Sequence, residues 1–236
     1  MLGGNDRSRY VQQMFTRIAS KYDLMNRIIT AGQDVRWRRE VILHTNLPSN
    51  GSLLDLGTGT GDLAREALQQ HPACMIVAAD FTLRMMQVGR TKENPGSAMT
   101  YLHWNAADAQ RLPFADASFD AVVSGFLLRN VSDLETSLAE QYRVLKPGGR
   151  WVALDTTPPP NSLIAPFIRF HLHQVIPTVG KIISGEADAY HYLPDTTERF
   201  LEPEQMKKKL IAAGFREISY QRLMVKTVAI YWGIKT

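Results

Sequence analysis

Cysteine and unbroken apolar stretches are scarce in this chain of 236 residues. The single cysteine, Cys74, cannot form an intramolecular disulfide, and its apolar surroundings predict a small buried side chain. The N-terminus, residues 1–9, has no apolar core of the kind that a secretory signal needs. We therefore expect a cytoplasmic protein.

Long apolar segments and strong charge are also missing. The region from Leu163 to Ile183 is interrupted by Arg169 and Lys181, which a bilayer crossing rarely tolerates, so we expect no transmembrane helix. The net charge is only +4, and nucleic-acid binding would need a larger basic stripe, so we predict no nucleic-acid partner. A peripheral contact with an anionic membrane surface stays open, as does a homodimer.

Short β-rich runs alternate with helical stretches from residue 52 onwards. The predicted strands are Ser52–Leu56, Met75–Ala79, Tyr101–Trp104, Ala121–Ser124, Trp151–Leu154, Ile218–Tyr220 and Val225–Trp232. This alternation predicts a doubly wound, Rossmann-like α/β fold with a seven-stranded, mostly parallel sheet. The last two runs are too close in sequence for a parallel crossover, so we expect one antiparallel strand.

The regions outside this alternating pattern differ from it in kind. Helical spacing of Val11, Met14, Phe15 and Ile18 indicates N-terminal helices, and three prolines from Pro158 open an apolar insertion. The apolar positions of the insertion suit a prenyl tail, a membrane interface or an ordinary lid. We predict a single domain in four parts: a helical cap over 1–45, a cofactor-binding core over 46–155, a substrate-side insertion over 156–200, and a final helix and strands over 201–236.

A glycine-rich turn follows the first predicted strand, over Asp55–Asp62, and precedes a predicted helix. Such a turn lets a ligand approach the backbone closely. A dinucleotide fingerprint would need glycine at Asp62 or Ala64, and the carboxylate of Asp62 would repel a pyrophosphate at the helix N-terminus. The turn therefore favours a ligand with ammonium and sulfonium groups over the nicotinamide cofactor of an oxidoreductase.

Acidic residues follow the next two predicted strands. Asp80 ends the second strand, where a carboxylate can accept hydrogen bonds from both ribose hydroxyls or can act as an ordinary turn residue. Asp108, followed by Ala109, ends the third, where it can accept from an adenine amino group or cap a turn. With the glycine turn, these acids predict S-adenosylmethionine as the cofactor.

Further motifs extend along nearly the whole chain. They are Met14-Phe15, Ile18-Ala19, Tyr22-Asp23, Met25-Asn26, Trp37-Arg38, Asp55 to Leu63, Asp108-Ala109, Leu112-Pro113-Phe114, Phe119-Asp120, Leu128-Arg129-Asn130-Val131, Arg143 to Arg150, and Ala189 to Pro194. On these residues the chain resembles the demethylmenaquinone and polyprenyl-benzoquinol C-methyltransferase family of menaquinone and ubiquinone biosynthesis.

The resemblance implies a class I methyltransferase that moves a methyl group from S-adenosylmethionine to a ring carbon of a polyprenyl quinol, foremost demethylmenaquinol. The chain departs from the family pattern at Gly125, where serine is usual, and at Asp155-Thr156-Thr157, where Glu-Phe-Ser is usual. A benzoquinol, another small aromatic or terpenoid acceptor, and a non-catalytic module that only binds the cofactor remain alternatives.

Candidate site residues follow from the motifs and the resemblance together. For catalysis we single out Arg129 and Asn130, which can bind ring oxygens, with Arg129 stabilising a developing phenolate or forming a structural ion pair. Tyr190 can bind a hydroquinone oxygen; if its segment is extended, it shares a face with Tyr192 opposite His191. No metal is required, and none is predicted. The candidate cofactor-binding residues are Asp55, Gly57, Gly59, Thr60, Gly61, Asp80, Phe81, Asp108, Ala109 and Gly125.

Overall fold

The computed structural model describes residues 4–92 and 101–236, which contain one seven-stranded sheet. The strand order is β3-β2-β1-β4-β5-β7-β6. Strand β7 runs antiparallel to both β5 and β6, and the other pairings are parallel. The predicted doubly wound sheet with one antiparallel strand is confirmed. The strands are β1 Ser52–Leu56, β2 Met75–Asp80, β3 Leu102–Ala106, β4 Phe119–Gly125, β5 Leu145–Thr156, β6 Arg216–Leu223 and β7 Val228–Ile234.

Helices cover both faces of the sheet and the carboxyl ends of its parallel strands. The predicted helix after the glycine turn is present, whereas α5 was not predicted from the sequence. The helices are α1 Gly4–Ile18, α2 Tyr22–Ile29, α3 Gln33–Leu43, α4 Asp62–Gln70, α5 Leu83–Arg90, α6 Leu134–Val144, α7 Ala165–Phe170, α8 Ile176–Ser184, α9 Ala187–Glu198 and α10 Pro203–Ala212.

Strand β5 begins earlier than expected. The sequence predicts a turn at Lys146 to Gly149, but these residues lie inside the strand. Phe119 pairs with Leu145 and Ala121 with Arg150, so the intervening residues of β5 bulge out of the ladder. The turn-forming residues therefore produce a bulge rather than the end of the strand.

The insertion is helical over residues 165–184 and again over Ala187–Glu198, with a π-helical turn at His171–Val175 joining α7 to α8. The extended alternative for the segment around Tyr190 is therefore wrong, because successive residues of a helix point about 100° apart and do not alternate between two faces. Within the described ranges, no helix is long and apolar enough to cross a membrane.

Three buried apolar clusters hold these parts together. One cluster lies on each face of the sheet, and Cys74 is buried in one of them, as predicted. The third joins α1 and α2 to the insertion, with Met14, Met25, Ile176 and Tyr190 among its buried members. The N-terminal helices and the insertion thus pack against each other.

Candidate active site

The glycine turn bends sharply between β1 and α4. Gly57, Gly59 and Gly61 all have positive φ, between 59° and 83°, in the left-handed region that favours glycine. The N–H groups of Gly57 and Thr58 donate to the carbonyl of Ala79 at 2.8 and 3.0 Å. The turn is therefore fixed against the end of β2, and its backbone forms one wall of a cavity.

The carboxylate of Asp55 is buried beneath this turn. One oxygen, Oδ2, accepts hydrogen bonds from the Thr58 hydroxyl at 2.5 Å and the Ala64 N–H at 3.0 Å. The other, Oδ1, is buried with no hydrogen-bond partner among the described residues. Burial raises the pKa of Asp55 to about 7. A cationic ammonium placed beside Oδ1 would satisfy it, which fits the amino group of S-adenosylmethionine.

Two cavities adjoin at the glycine turn, and two further acids line the larger of them. Asp80 accepts the N–H groups of Gly59 at 2.8 Å and Thr82 at 2.7 Å; burial raises its pKa, and these hydrogen bonds oppose the increase. Asp108 is exposed and accepts the Gln110 N–H at 2.9 Å, so it caps a turn and also faces the cavity.

Most candidate cofactor residues come together in two adjoining cavities, whereas Gly61 does not line either. Gly61 precedes α4, and a Cβ there would lie 2.5 Å from the Trp104 ring. Gly57, Gly59, Asp80, Phe81, Asp108, Ala109 and Gly125 line the larger cavity, and Asp55 and Thr60 line the smaller one.

The N-terminal helices cover these cavities, which sequence reasoning missed. Val11 and Phe15 of α1 line the larger cavity, and Tyr22 of α2 lines both. The Gln12 side chain donates to the carbonyl of Phe81 at 2.8 Å and so ties α1 to the loop after β2. The apolar spacing of α1 was a signal for packing, but it did not reveal that the buried face covers a ligand.

A third cavity, of about 350 Å³, lies between the insertion, α2, α3 and the loop before β7. Its walls are mainly apolar, so it suits an apolar acceptor rather than a charged one. Residues from the insertion that line it are Thr156, Ile164, Phe167, Ile168, His171, Leu172, Ile176, Leu193 and Thr197.

Phe126 is the one residue, among those described, that lines the cofactor cavities and the apolar cavity alike. Its φ is +60°, which is strained for a bulky residue. Its N–H donates to the Leu154 carbonyl at 2.7 Å, and its own carbonyl accepts the Asn130 amide at 2.8 Å. These bonds fix the backbone of Phe126 at the point where the two kinds of cavity meet.

Arg129 and Asn130 lie on different sides of this junction. Arg129 lines the apolar cavity, and its Nη1 donates to Asp155 at 2.5 Å, so the ion pair considered as the alternative to a catalytic role is present. Its Nε is buried with no hydrogen-bond partner among the described residues. Asn130 lines the larger cofactor cavity instead, and its Oδ1 likewise has none.

Tyr190 lines none of these three cavities. Its ring packs between α8 and α9 and lies against Gly180 of α8. A Cβ added at Gly180 would lie only 2.3 Å from the Tyr190 ring. A catalytic role for Tyr190 stays a prediction, one without support from this position. Tyr192 lines a different cavity, together with Arg7, and the side chain of His191 lies outside what the structure describes.

Solved structures share this fold. An S-adenosylmethionine-dependent methyltransferase of Thermotoga maritima matches 96% of this chain and 100% of its own with a TM-score of 0.67 at 17% identity. Phosphoethanolamine N-methyltransferase 2 of Haemonchus contortus matches 100% of this chain and 60% of its own with a TM-score of 0.68 at 15% identity. These likenesses show the fold, which is that of class I S-adenosylmethionine-dependent methyltransferases.

Sequence comparison narrows this class further. The chain belongs to the ubiE/COQ5 methyltransferase family, whose profile matches residues 4–235. It is 44% identical to the ubiquinone/menaquinone biosynthesis C-methyltransferase UbiE of Desulfotalea psychrophila, over 95% of this chain and 90% of that protein. It is 42% identical to the demethylmenaquinone methyltransferase of Thermus thermophilus, over 93% of this chain and 99% of that protein.

Proposed function

We propose that the chain methylates a ring carbon of a polyprenyl quinol, demethylmenaquinol foremost, and so forms menaquinol. The names of its relatives support this acceptor. The observation that carries the proposal is the apolar cavity of about 350 Å³ that shares the Phe126 ring with the cofactor cavities. A flat ring in that cavity would lie next to the cofactor, with room beyond it for an apolar chain.

Bound S-adenosylmethionine would supply an electrophilic methyl group: the ring carbon would form a bond to the methyl as the methyl–sulfur bond breaks, leaving S-adenosylhomocysteine, and the acceptor would lose one proton. The work of the protein is to align the acceptor and to stabilise negative charge on its oxygen. Arg129 lines the apolar cavity, its Nε–H has no hydrogen-bond partner among the described residues, and the ion pair with Asp155 fixes the guanidinium. Arg129 therefore stabilises the phenolate while remaining protonated itself.

The acceptor is tested with purified protein, methyl-labelled S-adenosylmethionine and two short-chain acceptors, a demethylmenaquinol and a demethylated benzoquinol. Mass spectrometry locates the methyl group. Methylation of the naphthoquinol on a ring carbon is the expected result. Methylation of the benzoquinol alone would replace this acceptor, and methylation of neither would remove the quinol proposal while leaving the family assignment intact.

The cavity assignment is tested with a matched pair of variants on α2. Ile29 lines the apolar cavity, whereas the neighbouring Ile28 does not line it and is 43% exposed. Ile29→Trp should fill the cavity and raise the quinol KM about tenfold or more, without changing cofactor affinity. Ile28→Trp should leave both unchanged. Equal effects of the two variants would show that the acceptor binds elsewhere.

We further propose that the insertion, residues 156–200, is the substrate side of a single domain and makes a peripheral contact with membranes. Leu163 is 97% exposed, Phe167 76%, Phe170 62% and Ile182 78%, an unusual number of exposed large apolar side chains for one segment. Phe167 also lines the apolar cavity, so a lipid-soluble acceptor would enter at this surface. A homodimer stays a prediction, which light scattering checks.

Vesicle flotation tests the membrane contact. The double variant Leu163→Ser, Phe167→Ser should lose most binding to vesicles that contain anionic lipid, because it removes two exposed apolar anchors. Leu83→Ser, at a 58% exposed position on α5, is the matched control. Flotation that is unaffected by the double variant would contradict the contact.

A further inference from the structure

A buried arginine from α3 faces the smaller cofactor cavity. Arg38 is 7% exposed and lines this cavity together with Asp55, Gly57 and Thr60. A buried guanidinium is costly unless carboxylates or other acceptors surround it. The partners of Arg38 therefore decide whether it is only a packing residue or also a binding group.

Within the described part of the chain, one nitrogen of this guanidinium has partners. Nη1 pairs with the fully buried Asp34 and lies 3.5 Å from Oδ2 of Asp62. Among the described residues, Nε and Nη2 make no hydrogen bond. Arginine can donate up to five hydrogen bonds, and Arg38 lines the cavity, so it has donors left over from the described residues that a ligand there could use.

The charges around Arg38 are also unbalanced. Four cations face three carboxylates in one connected network of ion pairs within the described ranges. Burial alone would raise the pKa of Asp62, but the positive charges of Arg38 and Lys92 outweigh it and lower that pKa, so this carboxylate is ionised. The network therefore has a surplus of one positive charge. The members are Arg27, Arg38, Arg65, Lys92, Asp23, Asp34 and Asp62.

We propose that Arg38 binds the carboxylate of the methionine part of S-adenosylmethionine. The same cavity holds Asp55, whose unpartnered Oδ1 suits the adjacent ammonium, so one small cavity offers a cation and an anion for the two charges of an amino acid. The carboxylate would neutralise the surplus charge of the network. This inference rests on the cofactor assignment and not on the identity of the quinol.

The test compares the binding of S-adenosylmethionine with that of its decarboxylated analogue by isothermal titration calorimetry, without acceptor. The two ligands share the sulfonium and differ by the carboxylate, so wild type should prefer the first by roughly 10- to 100-fold, as for a charge-assisted hydrogen-bonded pair. Arg38→Met should lose this preference while binding the analogue nearly as well as wild type does. Arg38→Lys should keep part of it.

Arg36→Met is the matched control, because this arginine lies on the same helix with its side chain 82% exposed. It should keep the full preference for the carboxylated ligand. Circular dichroism checks that each variant is folded. Equal weakening of both ligands in Arg38→Met, or a wild type that does not distinguish them, would overturn the proposal. If Arg38→Met does not fold, the test rests on how strongly the wild type and Arg38→Lys each prefer S-adenosylmethionine over its decarboxylated analogue.

Discussion

Because Asp55 is buried, we expect cofactor binding to release a proton. Its pKa is raised from an ordinary 3.8 to about 7, with burial as the main cause, so the carboxyl is largely protonated in the free protein at pH 6. An ammonium beside Oδ1 would favour the ionised form and lower that pKa again. The proton of Asp55 must then leave as the cofactor binds.

The magnitude follows from the protonated fraction. With a pKa near 7, about 0.9 proton should be released per cofactor at pH 6, and about 0.5 at pH 7. The affinity should rise with pH, up to about tenfold per unit between pH 5 and 7. A measurement at pH 6 is best, because an α-amino group with a pKa near 7.7–8.0 is still fully charged there.

Calorimetric titration in two buffers with different ionisation enthalpies measures the proton directly. Wild type should show a binding heat that depends on the buffer, and Asp55→Asn should not, because it has no proton to release. A wild type without buffer dependence at pH 6 would refute the reasoning. So would an Asp55→Asn variant that releases as many protons as wild type does.

Three other predictions concern stability and catalysis. Gly57→Ala should lower the free energy of unfolding in urea by about 1–3 kcal/mol, which is more than Gly148→Ala should. Both glycines have positive φ, but only a Cβ at Gly57 meets neighbouring atoms, the nearest at 2.8 Å. Equal losses in the two variants would contradict this. Arg129→Met should lower the free energy of unfolding by about 3–5 kcal/mol because it leaves the buried Asp155 unpaired, and a loss below about 1 kcal/mol would argue against it. Tyr190→Phe should keep kcat within about twofold because the ring packs away from the cavities, and a tenfold loss would restore its catalytic role.

The contribution of Asp55 to the stability of the cofactor-free protein should decrease as the pH rises. A carboxyl with a raised pKa in the folded state adds stability below its unfolded pKa and loses it as the pH rises through the folded one. The shift from 3.8 to about 7 corresponds to roughly 4 kcal/mol, lost between about pH 4 and 7. Urea unfolding of wild type and Asp55→Asn across this range measures it; parallel curves would contradict it.

Local patterns predicted the sheet because most strands contain a short β-rich run, although β5 extends beyond its run on both sides and β6 is largely polar. The antiparallel strand followed from the short connection before β7, and the turn over Asp55–Asp62 was located by its glycines. Helix α5 was missed because it is only 8 residues long and contains Gly89, a poor helix former. That glycine is needed for close packing, since a Cβ there would lie 2.6 Å from the Thr60 carbonyl.

Contacts between distant segments could not be predicted in this way. Tyr22 and Phe15 lie far in sequence from the glycine turn, and only the packing of the N-terminal helices brings them to the cofactor cavities. The insertion begins with Pro158 to Pro160, which disfavour a helix, yet α7 follows within a few residues. Tyr190 was selected for its chemistry, but the neighbouring Gly180 lets its ring pack between two helices.

The position of Phe126 links the two ligands energetically. Its ring is a wall of the cofactor cavities and of the apolar cavity, so a ligand that orders the ring on one side changes the surface met by a ligand on the other. Such coupling is reciprocal: the factor by which the cofactor changes quinol affinity must equal the factor by which the quinol changes cofactor affinity. The affinities of the two ligands are therefore expected to be coupled through one residue, whose backbone is strained.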